Sequence, residues 1–379
     1  MMRILMLTTN SSLMDGINRH ILTIAGALNR LPDIEVAVCT VLPPGDFPEA
    51  LERLGVRVFS LGFSNGHNFG IIPAYRRVLN EFRPDIVHIH VLSLMERLVS
   101  AFGFRHLKYV ITKHGIADAK TKVTLRDRVE RLLVRMTPID ILAAFYISKG
   151  VKEALLNNNP GVRINEVCYN PVDFDLRTVK ESCLRDLIGV SSHTPVIGTA
   201  CRIATVKNPV AFTEVMCRVL TTVPQSHAVV LGDGQQDLID RCKAIVEKYK
   251  VNNRFHWLGY RPDAPELTKD FTCFVLTSHR EGMPTAVLEC FAAHTPVAML
   301  EGEGGLQDII ALNTQEKPVV VSAASNDLEG LASGIIRLIE TPQDAETLAD
   351  NAYEIGRQNF DISSITNQLY NIYSKVLAF

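Results

Sequence analysis

Short apolar runs alternate with amphipathic segments along most of this chain, and this alternation restricts the fold more than any other feature. A strand-like segment at residues 3–9, with the apolar run Ile4 to Leu7, is followed by Gly16–Leu28, where apolar residues recur at helical spacing. The same pair of signals repeats to residue 147 and starts again at residue 195. Such alternation predicts parallel strands covered by helices on both faces. We therefore predict an α/β fold built from doubly wound, Rossmann-like sheets.

The length of 379 residues predicts two domains, because a single ordinary core would be smaller. We place a first domain at residues 1–172, a polar linker at 173–194 and a second domain at 195–356. In the final segment, 357–379, the apolar side chains of residues 362–377 share one stripe, which predicts an amphipathic helix. Two doubly wound domains in series leave a cleft between their strand ends, and ligands bind at such edges.

The composition is that of a globular protein, with 47% hydrophobic and 21% charged residues. A net charge of -2 argues against a nucleic-acid-binding protein. No apolar run approaches the roughly 18 residues needed to span a bilayer, and the first run is too short for a signal-peptide core. Eight cysteines show no close pairing, which predicts reduced core residues and a cytoplasmic protein.

Residues 273–300 predict a strand, a turn, a helix and another strand in immediate succession. Pro284 stands where the first helical turn should begin, a position at which its missing N–H costs nothing. Backbone N–H groups at such a helix start, beside the carboxyl end of a parallel strand, suit an anionic group. Glu281 precedes this start and Glu289 lies roughly two turns further on, so both carboxylates can reach one face. The stretch suits a ligand that carries both phosphates and sugar hydroxyls.

The Glu281-x7-Glu289 pair, with Gly282 and Pro284 inside it, resembles the signature of family 4 (group 1) of the GT-B glycosyltransferases. Members of that family move a sugar from a nucleotide donor with retention of the anomeric configuration, and their last helix crosses back to the first domain. The resemblance implies that Glu281 contacts hydroxyls of the donor sugar and that Glu289 accepts hydrogen bonds from the ribose. It also implies that backbone at the helix start cradles sugar and phosphate, at Gly282, Met283, Pro284 and Thr285.

A basic loop after the first strand of the second half looks like the family's G-R-L-x-x-x-K-[NG] loop, with Cys201 in place of the glycine. Arg202 and Lys207 are close enough in this loop to converge on one diphosphate. A guanidinium binds two phosphate oxygens at once, and an ammonium adds a mobile point charge. The resemblance implies that these cations stabilise the departing nucleoside diphosphate in place of a metal. We expect neither a metal nor another cofactor.

Two motifs of the first half also resemble the family. Asp15-Gly16 stands where the family has a glycine pair, so Gly16 is a candidate for donor binding, while Asp15 and Asn18 are candidates on the acceptor side. His114 ends a strand at the point where the family's histidine approaches the transferred sugar. The resemblance implies that His114 positions that sugar and helps to stabilise positive charge at its anomeric carbon.

Two glycine and aromatic turns complete the donor-binding candidates. Gly232 lies in a G-x-G turn like that of the family, and the missing third glycine argues against a nicotinamide cofactor. Tyr260 lies in the turn where family members hold the nucleobase. His294 stands where the family commonly has glycine.

Two further patterns imitate metal sites. His88 and His90 point to the same face of one strand, but no third ligand is indicated, so satisfied core histidines are the favoured interpretation. Asp173 and Asp175 imitate the D-x-D metal motif of the other glycosyltransferase fold. Because that motif belongs to single-domain, metal-dependent enzymes, we interpret the match as accidental.

A basic amphipathic segment extends from Lys122 to Arg135, in the domain that binds acceptors in this family. It is either a helix that lies on anionic lipid or an ordinary solvated face. The first alternative predicts peripheral contact with the inner face of the membrane and a lipid-linked acceptor.

The resemblance as a whole implies a metal-independent, retaining hexosyltransferase. Its expected donor is a UDP- or GDP-linked sugar, and its expected acceptor is a glycan, a lipid-linked sugar or a small molecule in cell-surface polysaccharide or glycoconjugate synthesis. No nucleic-acid partner is expected. The alternatives are a sugar-nucleotide 2-epimerase of the same fold and a non-catalytic protein that binds nucleotide sugars.

Overall fold

The computed structural model describes residues 1–115, 132–134, 136–158, 161–175 and 184–379. The described chain divides into two compact units, one formed by Met1–Pro171 with Ile362–Phe379 and the other by Val172–Asp361. Each unit is built on one open sheet whose neighbouring strands run parallel. The parallel α/β architecture predicted from the alternating signals is therefore confirmed.

The first unit contains a seven-stranded sheet in the order β3-β2-β1-β4-β5-β6-β7. Its strands are β1 (Met2–Thr8), β2 (Ile34–Thr40), β3 (Arg57–Ser60), β4 (Ile86–Ile89), β5 (Lys108–Lys113), β6 (Ile141–Tyr146) and β7 (Ile164–Val167). The strand order reverses between β1 and β4. In open parallel sheets, ligands bind outside the carboxyl ends of the strands at such a reversal.

Helices cover both faces of this first sheet. They are α1 (Gly16–Leu28), α2 (Asp46–Arg53), α3 (Ile71–Phe82), α4 (Leu94–Gly103), α5 (Lys149–Leu155) and the last helix of the chain, α14 (Ile362–Leu377). Apolar side chains of α1 and α14 pack on one face of the sheet, and those of α3 and α4 pack on the other. Because both faces are covered, the strands read as nearly continuous apolar runs, such as the buried residues 4–7 of β1.

The last helix belongs to the first unit, as the resemblance implies. Its buried stripe consists of Ile365, Leu369, Ile372, Tyr373 and Val376, which pack into the same core as α1. Burial of one such side chain is worth roughly 1.5–3 kcal/mol, so this stripe is a large part of the stability of the unit. The hydroxyl of Tyr373 also lies 2.7 Å from Nδ1 of His88 in β4.

The second unit contains a six-stranded sheet in the order β10-β9-β8-β11-β13-β15 and a two-stranded pair, β12-β14. The strands are β8 (Val196–Ala200), β9 (His227–Leu231), β10 (Phe255–Trp257), β11 (Cys273–Leu276), β12 (Arg280–Glu281), β13 (Val297–Leu300), β14 (Glu303–Gly304) and β15 (Val321–Ala323). The helices are α6 (Leu184–Leu187), α7 (Pro209–Thr222), α8 (Gln236–Tyr249), α9 (Ala264–Leu267), α10 (Thr285–Ala292), α11 (Gly305–Ile310), α12 (Leu328–Glu340) and α13 (Pro342–Phe360).

Two local expectations differ from the structure. Pro284 is the residue that caps α10 rather than its first helical residue, with φ −78° and ψ 83°. The edge strand β7 was not predicted, because its sequence, INEV, shows little alternation of apolar and polar residues and its side chains are only partly buried.

The described cysteines are free thiols, all buried except the partly exposed Cys201. Among the described helices, none combines the length and apolar character that a bilayer span requires.

Candidate active site

Two loops of the second unit meet at Lys207 and Glu281. Lys207 ends a 3₁₀ turn after β8, and Glu281 lies in β12. The Nζ atom of Lys207 lies 2.5 Å from Oε1 and 2.7 Å from Oε2 of Glu281, and the hydroxyl of Ser278 donates to Oε1 at 2.6 Å. The side chains are 23% and 12% exposed, so solvent screens this ion pair only in part. The basic loop and the E-x7-E stretch thus share one charged contact.

Backbone contacts fix these two loops to each other. Thr277 donates from its hydroxyl to the carbonyl oxygens of Lys207 and Asn208, at 3.2 and 3.0 Å. The N–H of His279 donates to the carbonyl oxygen of Val206 at 2.8 Å. Asn208 adopts φ 49° and caps the start of α7 with its side chain. Since the hydrogen bonds join main chain as well as side chains, the position of Lys207 is set by the fold and not by its ion pair alone.

Glycines allow adjacent loops to approach closely at this edge of the sheet. A Cβ atom on Gly232 would lie 1.8 Å from the carbonyl oxygen of Cys201, and one on Gly234 would lie 2.1 Å from that of Ile203. Real Cβ atoms are not found so close to backbone, so only glycine fits at either position. The G-x-G turn therefore packs its backbone directly against the basic loop, which places Gly232 beside the loop that carries Lys207.

The stretch after Glu281 leads directly into α10. Met283 and Pro284 are buried, while Thr285 and Glu289 on the helix are partly exposed. Gly304 has φ 71°, and a Cβ atom there would lie 2.2 Å from the carbonyl oxygen of Glu281. The backbone of Gly304 thus braces the segment that carries the first glutamate.

Other predicted donor-binding residues lie around the same loops. A small pocket opens next to Lys207, and its lining includes Thr199, Cys201, Ile203, Phe212, Trp257 and Thr277. Arg202 is exposed, and it makes no hydrogen bond or ion pair with another residue that the structure describes. Tyr260 is 41% exposed and follows Gly259, which has φ 67°. The structure brings Lys207 to Glu281, but it shows no contact between Arg202 and either glutamate.

In the first unit, polar side chains hold the loop between β1 and α1. Asp15 caps α1, because its Oδ1 accepts from a backbone N–H of the first turn at 2.9 Å. Asn18 is fully buried; it accepts from the hydroxyl of Thr8 and donates to the carbonyl oxygen of Ser12, each at 3.0 Å. Gly16, by contrast, has open space where a side chain would stand. The Asn18 side chain thus holds the loop, and the backbone at Gly16 is accessible.

Both aspartates of the D-x-D pattern contact residues of the second unit. Asp173 accepts from the backbone N–H of Asp175 at 3.0 Å, and Asp175 pairs with Arg357 at 2.8 Å. These contacts are those of a turn with a surface ion pair.

Four histidines gather at the carboxyl edge of the first sheet. His88 belongs to β4, His90 and His114 follow β4 and β5, and His20 lies on α1. Nδ1 of His90 lies 2.9 Å from Nε2 of His114, and the ring of His20 is centred 5.0 Å from that of His114 and 5.6 Å from that of His90. One ring nitrogen from each of His20, His90 and His114 lies within 4.8 Å of those of the other two. Three imidazoles in this arrangement can hold a metal ion, and no sequence motif indicated the cluster.

The interpretation of His88 and His90 as satisfied core histidines is correct for the first only. His88 uses both ring nitrogens, at 2.7 Å from the hydroxyls of Tyr373 and Thr112. Nε2 of His90 and Nδ1 of His20 are buried and have no hydrogen-bond partner among the described residues. The position of these residues could have indicated the cluster. His20, His90 and His114 follow three strands, β1, β4 and β5, that are neighbours in the sheet.

Burial keeps these imidazoles neutral. It lowers the pKa of His20 to about 4, although a hydrogen bond with Asn170 acts in the opposite direction. Burial and the neighbouring His20 lower the pKa of His88 to about 3. The pKa values of His90 and His114 are also held well below the usual range, first by burial and then by the other histidines.

Comparison with known proteins identifies the family. The family models described as Glycosyltransferase Family 4 and Glycosyl transferases group 1 match residues 14–176 and 185–355. A curated protein of Campylobacter jejuni, N,N'-diacetylbacillosaminyl-diphospho-undecaprenol alpha-1,3-N-acetylgalactosaminyltransferase, is 30% identical over 386 aligned positions, which cover 92% of this chain and 94% of that protein. The chain belongs to the group 1, family 4 glycosyltransferases.

This glycosyltransferase also has shorter curated matches. UDP-Gal:alpha-D-GlcNAc-diphosphoundecaprenol alpha-1,3-galactosyltransferase of Escherichia coli is 31% identical over 237 residues, which cover 58% of each chain. The match spans 25% to 64% of the length of the three curated relatives other than the Campylobacter protein.

Solved structures confirm the predicted GT-B fold of this glycosyltransferase. Anabaena HepE, solved in complex with UDP and glucose, matches with a TM-score of 0.80 over 99% of this chain and 100% of that chain, at 21% identity. At that identity the likeness establishes the fold and not the substrates.

The structure explains one departure of this glycosyltransferase from its family. His294, where the family commonly has glycine, follows α10 with φ 54°, a conformation that glycine adopts without steric cost. Its ring stacks on Tyr353 with centroids 4.2 Å apart, and its Nδ1 lies 3.0 Å from Oδ1 of Asp350. These contacts offset the backbone strain.

The basic segment from Lys122 to Arg135 lies outside the described residues, apart from 132–134.

Proposed function

We propose that this glycosyltransferase transfers a sugar, with retention of configuration, from a UDP- or GDP-linked donor to a lipid-linked or glycan acceptor in cell-surface polysaccharide or glycoconjugate synthesis, without a metal. The observation that carries the proposal is the contact between Lys207 and Glu281. It joins a loop suited to a diphosphate with a carboxylate suited to sugar hydroxyls.

The donor half of the proposal assigns complementary tasks to these loops. Arg202 and Lys207 bind the diphosphate and stabilise the negative charge that grows on it as the bond to the sugar breaks. Glu281 accepts hydrogen bonds from the donor sugar, and Glu289 accepts them from the ribose. When the donor binds, phosphate oxygens take over part of the charge pairing that Glu281 now gives to Lys207.

The chemical step then follows the retaining course. The bond between the anomeric carbon and the diphosphate oxygen breaks, and the acceptor hydroxyl forms its bond to that carbon on the same face. The hydroxyl proton passes to the departing phosphate oxygen, so no side chain has to act as the base. His114 positions the transferred sugar, and its neutral imidazole adds no repulsion to the positive charge at the anomeric carbon.

The names of two relatives support a lipid-linked acceptor. The Escherichia coli enzyme, by its name, uses UDP-Gal and a diphosphoundecaprenol-linked sugar, and the name of the Campylobacter enzyme also specifies a diphospho-undecaprenol-linked acceptor. We therefore propose an acceptor in which the first sugar is joined to a polyprenyl diphosphate.

Transfer from labelled UDP- and GDP-sugars to a short-chain polyprenyl-diphosphate sugar tests the proposal. We expect one donor to be used, with an α-linked product from an α-linked donor, and undiminished transfer in the presence of EDTA. Glu281→Ala and Lys207→Ala should each abolish most of the transfer. Conversion of the nucleotide sugar to its 2-epimer without an acceptor would instead identify an epimerase, and binding without turnover would identify a non-catalytic protein.

A further inference from the structure

We propose that His20, His90 and His114 form a binding site for one transition-metal ion of the zinc class. Among the described residues this is the one cluster of three or more histidine, cysteine or acidic side chains whose ligand atoms converge closely enough to share an ion. All three belong to the first unit, so the site does not depend on the second.

The geometry is close to that of a zinc site. Tetrahedral Zn²⁺ with nitrogens at about 2.0–2.1 Å places its ligands about 3.3 Å from one another. Nδ1 of His90 and Nε2 of His114 lie 2.9 Å apart, and all three ligand atoms lie within 4.8 Å of one another, so the two limits bracket this value. Small rotations of the rings would therefore suffice. The hydrogen bond between His90 and His114 would be exchanged for bonds to the ion.

A buried, unsatisfied nitrogen of His20 provides the second, independent observation. Nε2 of His90 and Nδ1 of His20 are buried without a hydrogen-bond partner among the described residues, and these two side chains are 6% and 7% exposed. A buried polar atom with no partner typically costs about 1–3 kcal/mol. Ligation through Nδ1 would give His20 a partner, whereas His90 would ligate through the Nδ1 that now bonds His114 and would keep its Nε2 unpaired. His88 next to them needs no ion, because both of its nitrogens are already bonded.

The ligand type and the open side define the ion. Three imidazoles suit Zn²⁺ and its neighbours Co²⁺, Ni²⁺ and Cu²⁺, whereas Mg²⁺ and Ca²⁺ prefer oxygen ligands. His114 is partly exposed, so water can reach the fourth position of a tetrahedral ion. Such an ion would occupy the imidazole that we assign to sugar positioning, and it should therefore inhibit transfer.

Metal titration of the tag-free, EDTA-treated full chain tests the site. Zn²⁺ is titrated in competition with a chromophoric chelator, and Co²⁺ binding is followed by its visible absorption. We expect one ion per chain, an intense tetrahedral Co²⁺ band, and at least tenfold weaker binding in both His20→Ala and His90→Ala. Far-UV circular dichroism checks that both variants fold. His20→Gln replaces His20→Ala if the alanine variant does not fold.

His256→Ala is the matched control. His227 and His256 also place two ring nitrogens 2.9 Å apart, but they belong to no three-residue cluster in the described part of the chain. This variant should bind Zn²⁺ like the wild type. A stoichiometry below one half, a Co²⁺ spectrum of the hydrated ion, or equal affinity in folded His20 and His90 variants would overturn the proposal.

Transfer assays with added Zn²⁺ form a separate arm. We expect at least tenfold inhibition that EDTA reverses. This arm depends on the proposed role of His114 in sugar transfer, whereas the binding measurements do not. Binding without inhibition would therefore contradict the role of His114 and leave the metal site established.

Discussion

Lys207 and Glu281, 74 residues apart in the sequence, form a two-point contact in which Nζ lies 2.5 and 2.7 Å from the carboxylate oxygens. The contact has consequences for the free enzyme. A cation held in place by a carboxylate does not need to be ordered when the diphosphate arrives, and preorganised charges contribute more to catalysis than mobile ones. When the donor binds, its phosphate can replace Glu281 as the partner of Lys207, and its sugar hydroxyls can replace Lys207 as the partner of Glu281.

Replacement of Lys207 by alanine should lower kcat by about 10²–10³, the usual effect of removing one preorganised charge donor. The stability of the second unit should fall by about 1–3 kcal/mol, because the carboxylate of Glu281 keeps only its hydrogen bond with Ser278. Steady-state kinetics and urea unfolding measure the two effects.

Lys317→Ala is the control for the Lys207 variant. Lys317 pairs with Glu354 at 3.0 Å, and both side chains are about half exposed. A surface pair of this kind contributes roughly 0–1 kcal/mol, so activity and stability should remain near those of the wild type. Wild-type kcat in Lys207→Ala would remove this residue from the catalytic machinery.

Gly234→Ala should weaken donor binding. Its new Cβ atom would lie 2.1 Å from the carbonyl oxygen of Ile203, so the basic loop has to shift. A displacement near 1 Å costs about 10²-fold in rate when it misplaces a charged group. Isothermal titration with the nucleoside diphosphate of the preferred donor, UDP or GDP, and kinetics should show a raised Kd and a reduced kcat/KM. Gly103→Ala, at a position with open space, should leave both unchanged.

His294 separates backbone strain from side-chain contacts. Alanine loses the stacking on Tyr353 and the contact with Asp350 but keeps the unfavourable φ of 54°. Glycine loses the same contacts and relieves the strain. His294→Gly should therefore be about 1 kcal/mol more stable than His294→Ala in thermal or urea unfolding. Equal stabilities would show that the backbone at this position carries no strain.

Glu96 should make the stability of the first unit depend on pH. Burial raises the pKa of this carboxyl from 4.5 to about 7, and hydrogen bonds with Ser93 oppose the shift. Between these two values the folded chain keeps a proton that the unfolded chain has released. The stability that Glu96 contributes should therefore be fully present below pH 4.5 and be lost as the pH rises through 7, by about 3 kcal/mol in total.

Glu96→Gln tests this origin of the pH dependence. The amide preserves the shape of the side chain and its acceptor for the N–H of Ser93, which donates to Oε2 at 2.9 Å in the wild type. Urea unfolding at pH 5 and pH 8, followed by a probe in the first unit, should show a smaller difference for the variant than for the wild type. The same pH profile for both proteins would assign the effect to another group.

Much of the fold could be predicted because hydrophobic periodicity is a local signal. The bounds predicted for α1 and α14 coincide with those observed, since each is a strongly patterned segment. The edge strand β7 and the two-residue strands β12 and β14 were missed, because pairing with a neighbour defines them and their own sequence does not.

The candidate site, like the fold, could be predicted only in part. The loops that carry Lys207 and Glu281 could be found from motifs, but their ion pair depends on the adjacency of β8 and β11, which no local pattern encodes. The histidine cluster depends even more on the order of the strands than this ion pair does. His20 lies 70 residues before His90, and only the strand order around β1 and β4 brings them together. The departure at His294 became intelligible only once its φ was known.

The position of α14 also determines the order in which the polypeptide can mature during synthesis. The ribosome completes the continuous stretch Val172–Asp361 before it makes Ile362–Leu377, so the second unit has all of its residues while the first still lacks its closing helix. Until Tyr373 arrives, the apolar face beside His88 has no cover and is open to chaperones or to misplaced partners. The unit translated first is consequently the last to be finished.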